Sequence, residues 1–562
     1  MKIKPKYRFF AQIPVRIPSP SIRSRPCSPH IVPMRQTVAA AMHRGKTSLR
    51  PPSWSNPADC GILVRTKNIA EKDIEMSALH DTLSRNDFFK TGAFIHGKWI
   101  TTGKTFADTN PSTGEKLADI AFSGREETEA AIISAKTAFA TWRKTTATER
   151  ADILYRWYEL MVANRPFLGE LMTAEQGKPL AEALGEVDYA ASFIRWFAEE
   201  ARRANGEIIP PFKPNSRIFA TREPVGVVAA ITPWNFPMAM LARKLGPALA
   251  AGCTAIIKPA DETPLCANAL LALADAAGVP PGVLNGVCGD TLAISDAIMA
   301  SPDVRKITFT GSTAVGKLLM QNAAGTMKRI SMELGGNAPL IVFDDADIDA
   351  AVAGTVANKF RNAGQVCVAI NRIYVQDRIY DEYVGKLAKA IGELTVGDGF
   401  APGVTVGPLI RESAVEKVER HVQDALAKEA ELVTGGHRSA LGGTFYEPTL
   451  LSHCTDDMLI ASEETFGPVA ACFRFETEQE AINRANNTPF GLAAYFYTKD
   501  LSRVFRVSEA LEAGMIGIND TGVSSAVAPF GGVKESGIGR EGSVLGLEEY
   551  LDVKTLHLGN LG

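Results

Sequence analysis

No apolar run in the chain reaches the about 18 residues needed to cross a bilayer, so a membrane-spanning helix is excluded. The longest such stretches, Val225 to Ile231 among them, suit buried strands instead. Eight cysteines are scattered without a single Cys-x-x-Cys pair, which argues against a disulfide scaffold and against a zinc site, and makes a reducing compartment the default. A formal net charge of −3 gives no electrostatic case for nucleic acid as a partner. Neither an internal repeat nor a heptad array is present. What is left is a composition of 46% hydrophobic and 22% charged residues, that of a globular protein.

Acidic residues are missing altogether before Asp59. Residues 1–75 carry a net charge of +10, leaving −13 for the rest. An Arg- and Ser-rich, acid-poor segment fits a transit peptide, which would place the protein in the mitochondrial matrix. Pro14, Pro18, Pro20, Pro26, Pro29 and Pro33 break the amphipathic helix such a peptide needs. In the other reading translation begins at Met76, the leader 1–75 is spurious or disordered, and the protein is cytoplasmic. In either case these residues stand apart from the fold.

At 562 residues the chain is too long for one core, and two or three domains are expected. Apolar residues recur at helical spacing over 125–144, 147–163 and 178–204. From Val225 the texture changes to strand-like runs (Val225–Ile231, Ala255–Ile257, Val283–Val287, Lys306–Phe309, Arg329–Met332). Helical stretches separate them (Met238–Ala251, Leu265–Ala276, Leu292–Ala300, Ala314–Asn322). This alternation predicts an α/β class with a doubly wound, Rossmann-type parallel sheet. A second α/β stretch follows from Leu340 to about Gly542. Ligands of such sheets bind beyond the carboxyl ends of the strands, so the turns there carry the chemistry.

Four turns are unusual. Thr310-Gly311-Ser312 through Gly316-Lys317 nearly spells a nucleoside-triphosphate loop, but Leu318 stands where a Ser or Thr must hold magnesium, and no acidic partner strand follows. A phosphate-favouring helix N-terminus survives from it, or a plain cap. Lys258-Pro259-Ala260-Asp261 offers a cation and a carboxylate for ribose or phosphate. Pro233-Trp234-Asn235-Phe236-Pro237 pins an Asn between prolines, fit to stabilise an oxyanion or to cap the next helix. Glu333 precedes Leu334-Gly335-Gly336, where glycines permit close approach. Farther on, Cys367 follows a Gly364-Gln365 turn and precedes Asn371-Arg372. Each feature alone also has a bland structural reading.

Together these segments resemble the aldehyde dehydrogenase superfamily. The resemblance rests on Met332–Gly336, on Gly364–Cys367 with the Cys 34 positions after Glu333, on Pro233–Phe236, Lys258–Asp261 and Gly311–Gly316, and on Glu464–Pro468 and Pro529–Gly537, in order over 92–558. It implies an NAD(P)-binding domain over 76–205 and 222–335 and a catalytic domain over 336–545. A small β oligomerisation module would span 206–221 and 546–562, giving a homodimer or homotetramer. It further implies Cys367 as nucleophile, Asn235 as oxyanion donor and Glu333 as the base that releases the acid. Pro233, Trp234, Lys258, Asp261, Thr310, Gly311, Ser312, Gly316, Leu334, Glu464 and Phe466 would bind the cofactor, with Glu464 on the nicotinamide ribose. Family members often carry a second Cys two residues after the nucleophile. Ala369 stands there, so no regulatory disulfide is expected.

Arg243 and Arg361 sit where the family lines its substrate tunnel, and two cations there call for an anionic aldehyde. Succinate-semialdehyde dehydrogenases are similar in carrying this pair, with a Ser matching Ser525. Glutarate semialdehyde, one methylene longer, is the alternative substrate, and the arginines merely pairing with carboxylates is the alternative role. Asp261 would repel a 2′-phosphate, which favours NAD over NADP. Two rivals of other classes remain: a P-loop NTPase, weakened by Leu318, and a non-catalytic binding protein on the same scaffold, which has no need of Cys367, Glu333 and Asn235 together.

Overall fold

A computed structural model describes residues 82–561. The expectations for the 1–75 leader lie outside the described residues. Among the described residues no helix is long and apolar enough to cross a membrane.

The alternation read from the sequence forms an eight-stranded sheet. Its order is Gly537–Ile538, Arg329–Glu333, Val304–Thr310, Val227–Ile231, Thr254–Lys258, Leu284–Gly286, Ala93–Ile95, Lys98–Ile100. The five middle strands are parallel, and antiparallel strands close both edges. The chain winds outward from Val227–Ile231 through Thr254–Lys258 to Leu284–Gly286. It then returns to the other side as Val304–Thr310 and Arg329–Glu333. Winding therefore reverses between Val227–Ile231 and Val304–Thr310, and a crevice opens where strand order reverses. Register aligns the carboxyl ends there, with Phe309 opposite Ile231 and Thr310 opposite Glu333.

Helix Pro237–Ala251 leaves the central strand and is buried over its whole length, its two charged residues, Arg243 and Lys244, both facing Glu541. It packs on helix Leu180–Glu200. The helical periodicity read over 178–204 forms helix Leu180–Glu200 and the short turn Ala201–Arg203, and it is preceded by a helix the spacing did not show. Helix Arg165–Gln176 ends at Gly177, with φ of 89°, and a new helix starts after Pro179. The break turns Lys178 inward between the two helices.

A second sheet of seven strands runs Glu431–Thr434, Thr449–Ser452, Val469–Phe475, Ile370–Gln376, Ala338–Val342, Ala493–Tyr497, Met515–Ile518, parallel except for the first. Each large sheet has its own apolar core. A separate three-stranded sheet pairs Glu207–Ile209 with Arg217–Pro224, and the latter with Leu551–Leu558. The hairpin's second strand reaches Pro224, beyond the expected end at 221, because the C-terminal strand pairs with it along its whole length.

Candidate active site

Three of the four turns converge. A cleft of about 380 Å³ opens at the point of reversal. Its walls include Pro233, Trp234, Asn235, Thr310, Gly311, Ser312, Leu334, Cys367, Glu464 and Phe466. Ser312 caps helix Thr313–Ala323, its Oγ accepting the Val315 N–H at 3.4 Å, and the free N–H groups of that first turn suit an anion. Trp234 meets Phe466 edge to face at 5.8 Å. Glu464 Oε1 accepts the Gly336 N–H at 3.0 Å, and burial pushes its carboxyl up to about 7.

Three expected cofactor residues stand outside this wall. Gly316 packs the helix: a Cβ there would lie 2.4 Å from Leu334 Cδ2. Lys258 and Asp261, at the next strand end, pair with each other at 2.8 Å. Asp261 also accepts from the Thr291 hydroxyl at 3.2 Å.

Cys367 is shared with a second cavity of about 320 Å³, lined by Glu182, Tyr189, Phe236, Arg243, Arg361, Ser524 and Phe530 among others. Of the six cysteines among the described residues, it alone is partly exposed. Burial pushes its thiol up to about 12, opposed by the charges of Arg243 and Arg361. The turn that presents it is strained. Asn362 and Ala363 take φ of 51° and 54°, a left-handed conformation costing an L residue about 1–2 kcal/mol. Asn362 is held there by its own side chain: Nδ2 donates to the Asn235 carbonyl at 3.0 Å, and Oδ1 accepts from Gln176 Nε2 at 2.9 Å. The two sequence signatures touch at Gly336, where a Cβ would fall 2.4 Å from the Cys367 carbonyl oxygen, so only glycine lets the segments meet.

Asn235 is 3% exposed. Its Nδ2 donates one hydrogen to the Gln365 carbonyl at 2.9 Å, while Oδ1 has no partner among the described residues. Lys178, which the sequence reading passed over, fixes the turn. Its Nζ donates to the Asn235 carbonyl at 2.8 Å and to Glu186 Oε2 at 2.5 Å. Glu186 Oε1 accepts the Met238 and Ala239 N–H groups at 3.0 and 3.2 Å, capping the next helix. The signal was a Gly-Lys-Pro helix break, visible only as an interruption of periodicity.

Glu333 lines neither cavity. Its carboxyl is turned toward Gly531, where a Cβ would come within 2.9 Å of Oε1, and Oε2 has no partner among the described residues. Burial holds this carboxyl protonated well above the usual range, reinforced by the negative charge of Glu541 and opposed by Lys244 and Arg243. Lys244 donates to Glu541 and, at 2.6 Å, to the Thr310 hydroxyl. Glu541 was missed because 208 residues separate it from Glu333.

Arg243 is 1% exposed and stacks over the Phe530 ring at 3.8 Å. Its Nη2 donates to Ser524 Oγ at 3.4 Å, and Ser524 meets the Tyr189 hydroxyl. Its Nε lies 3.4 Å from Glu541, so part of its charge is met by a carboxylate, as the bland reading anticipated. Arg361 has no ion pair among the described residues and lies 5.4 Å from the centre of the Phe236 ring. The serine expectation needs a correction of one position. Ser524, not Ser525, lines the cavity, because the loop turns the side chain of Ser524 toward Tyr189 and Arg243.

A thiol between a switch-point nucleotide crevice and a cation-bearing cavity defines the class: a nicotinamide-dinucleotide-dependent oxidoreductase of α/β fold. The aldehyde dehydrogenase family profile matches residues 99–556, and the chain belongs to that family. A 3-sulfolactaldehyde dehydrogenase of Pseudomonas putida is 55% identical over 84% of this chain and 98% of its own length. An NADP(+) succinate-semialdehyde dehydrogenase of Escherichia coli is 53% identical over 85% and 99%. The crystal structure of a succinate-semialdehyde dehydrogenase from Burkholderia pseudomallei superposes with a TM-score of 0.84 at 55% identity, covering 84% of this chain and 99% of that one.

Proposed function

We propose that the chain oxidises succinate semialdehyde to succinate. The observation that carries this is the pair Arg243 and Arg361 in a second cavity that shares Cys367 with the nucleotide cleft. Ser524 and Tyr189 extend the polar lining toward a substrate carboxylate. In this reading the Cys367 thiol loses its proton to solvent, the thiolate being favoured by the charges of Arg243 and Arg361, and adds to the aldehyde carbon, while the second Nδ2 hydrogen of Asn235 meets the oxyanion. The cleft residues, Ser312 with its helix turn and Glu464 among them, would hold a nicotinamide dinucleotide, which would supply the hydride acceptor needed for the adduct to become a thioester. Glu333 swings from Gly531 toward that thioester, takes a proton from water, and the acid leaves with the thiol restored. The cleft suits the dinucleotide because the Ser312-capped helix offers N–H groups and Glu464 a carboxylate for ribose hydroxyls.

Arg361→Ala tests the substrate. With succinate semialdehyde, kcat/KM should fall about 10- to 100-fold, the value of one charge-assisted bond, and with propanal it should hold steady. Equal activity of the wild type on both aldehydes would remove the anionic-substrate reading and leave the thiol chemistry intact. Glutarate semialdehyde fills the same cavity with one more methylene, a difference worth only about 1–3 kcal/mol, and belongs in the same assay.

NAD is the favoured cofactor, since the Asp261 carboxylate at its strand end disfavours a 2′-phosphate. Asp261→Ser should improve NADP use relative to NAD by about tenfold, read as the ratio of kcat/KM. An unchanged ratio would show that Asp261 does not face the ribose. The exposed apolar residues Ile208, Phe212, Val553 and Leu556 on the three-stranded sheet and its loop favour self-association to a dimer or tetramer, whose size sedimentation measures. The address is cytoplasmic if 1–75 is absent from the protein and mitochondrial if it is a transit peptide.

A further inference from the structure

Glu464 sits on a loop that needs outside restraint. Phe466, two residues on, takes φ of 54°, unfavourable for a bulky side chain. From strand Ile370–Gln376, Asn371 Oδ1 accepts the Thr465 N–H at 3.1 Å and its Nδ2 donates to the Glu463 carbonyl at 3.1 Å. From helix Glu412–Ala427, Lys417 donates to the Glu464 carbonyl. The same helix supplies His421, which is fully buried at 0% exposure.

Both nitrogens of that ring are spent on the two neighbours of Glu464. Nδ1 lies 3.2 Å from Thr465 Oγ1, and Nε2 lies 3.1 Å from Glu463 Oε2. The partners fix the tautomer: a carboxylate only accepts, so Nε2 carries the hydrogen and Nδ1 takes the hydroxyl proton of Thr465. Arg420 donates to the same Glu463 oxygen at 2.7 Å. Filling this space would need only an aliphatic side chain, without the cost of burying an imidazole. The polar ring is required by its two bonds, and both run to the loop that carries Glu464.

We propose that His421 is a positioning residue for the cofactor: by bridging Glu463 and Thr465 it aims the Glu464 carboxylate at the ribose hydroxyls. The inference rests on the reading of Glu464 as the ribose contact. The other ionisable groups around the ring are Lys417, Arg420, Glu463 and Asp424.

The test compares His421→Leu, His421→Gln, Thr465→Val and Glu464→Gln by NADH titration, by KM for NAD and kcat, and by cofactor-free hydrolysis of p-nitrophenyl acetate, which reads the Cys367 and Glu333 chemistry without the cofactor. His421→Leu should raise both cofactor constants about tenfold while ester hydrolysis persists. His421→Gln keeps one donor and one acceptor and should restore most of the affinity. If His421→Leu does not fold, Thr465→Val removes only the hydroxyl facing Nδ1 and should weaken the cofactor in the same direction. Unchanged cofactor constants in these variants, with Glu464→Gln weakened, would overturn the positioning role and leave the ribose contact standing. Parallel loss of ester hydrolysis, or no rescue by Gln, would overturn it too by marking the ring as structural only. Normal cofactor constants in Glu464→Gln would remove the ribose contact itself and this inference with it.

Discussion

Glu333→Gln should release about one NADH per Cys367 thiol and then slow by about 10²- to 10⁴-fold, the usual worth of a general base. Hydride leaves before the thioester is hydrolysed, so an enzyme without its base completes the first half of the reaction and stalls as acyl-enzyme. Gln preserves the volume at the strand end and loses only the proton acceptor. Rapid-mixing absorbance at the NADH band separates the burst from the steady rate. A burst lost together with the steady rate would place Glu333 at thiol activation instead of hydrolysis.

The pH profile follows from the same burial. Glu333 is held protonated well above the usual carboxylate range by burial first and by Glu541 second. The basic form therefore grows as pH rises, and the hydrolysis-limited rate should climb with pH above the usual carboxylate range in the wild type and lose that dependence in the variant. Stability runs the other way. A carboxyl whose folded pKa is raised leaves the folded state holding the extra proton, so stability falls as pH rises from the unfolded carboxyl range toward the folded value. Glu333→Gln removes this penalty and should melt higher than the wild type at alkaline pH. The cost is consistent with the unpaired Oε2: the site keeps a carboxyl free to move by leaving it unsatisfied.

What could be read in the chain was what local spacing encodes. The strand–helix alternation pointed to the turns at the carboxyl ends of the strands, and those beyond Ile231, Thr310 and Glu333 do meet with Cys367 or its motif. Contacts that depend on distant pairing were not legible. Lys178 and Glu186 meet only because Gly177 and Pro179 end helix Arg165–Gln176 and turn the chain into helix Leu180–Glu200. Glu541 reaches Lys244 and Arg243 from near the other end of the chain. The one-position error at Ser524 has a different origin. Adjacent serines in an irregular loop point in different directions according to backbone dihedrals, which two identical side chains cannot announce. Gly316 looked like part of a phosphate loop and serves helix packing on Leu334, because glycine spacing in the two cases is alike.

Asn235→Ala should lower kcat by about 10²- to 10³-fold, matching the 3–4 kcal/mol that one oxyanion donor typically supplies, and should leave the melting temperature within about 3 °C. The stability half of that expectation comes from opposing terms. Ala loses the Nδ2 bond to the Gln365 carbonyl, worth about 1 kcal/mol net, but also removes a buried Oδ1 without a partner, a burden of about 1–3 kcal/mol. The backbone around it stays fixed, since Lys178 and Asn362 hold the residue-235 carbonyl whatever its side chain. Activity and stability should thus separate at this position, as they do where a polar group is kept for the transition state at the expense of the ground state. The NADH burst itself must slow, because the oxyanion forms before hydride leaves. A variant with a normal burst and slow steady turnover would assign Asn235 to hydrolysis alone. One that loses activity only in proportion to a lower melting temperature would make it a structural residue of the turn.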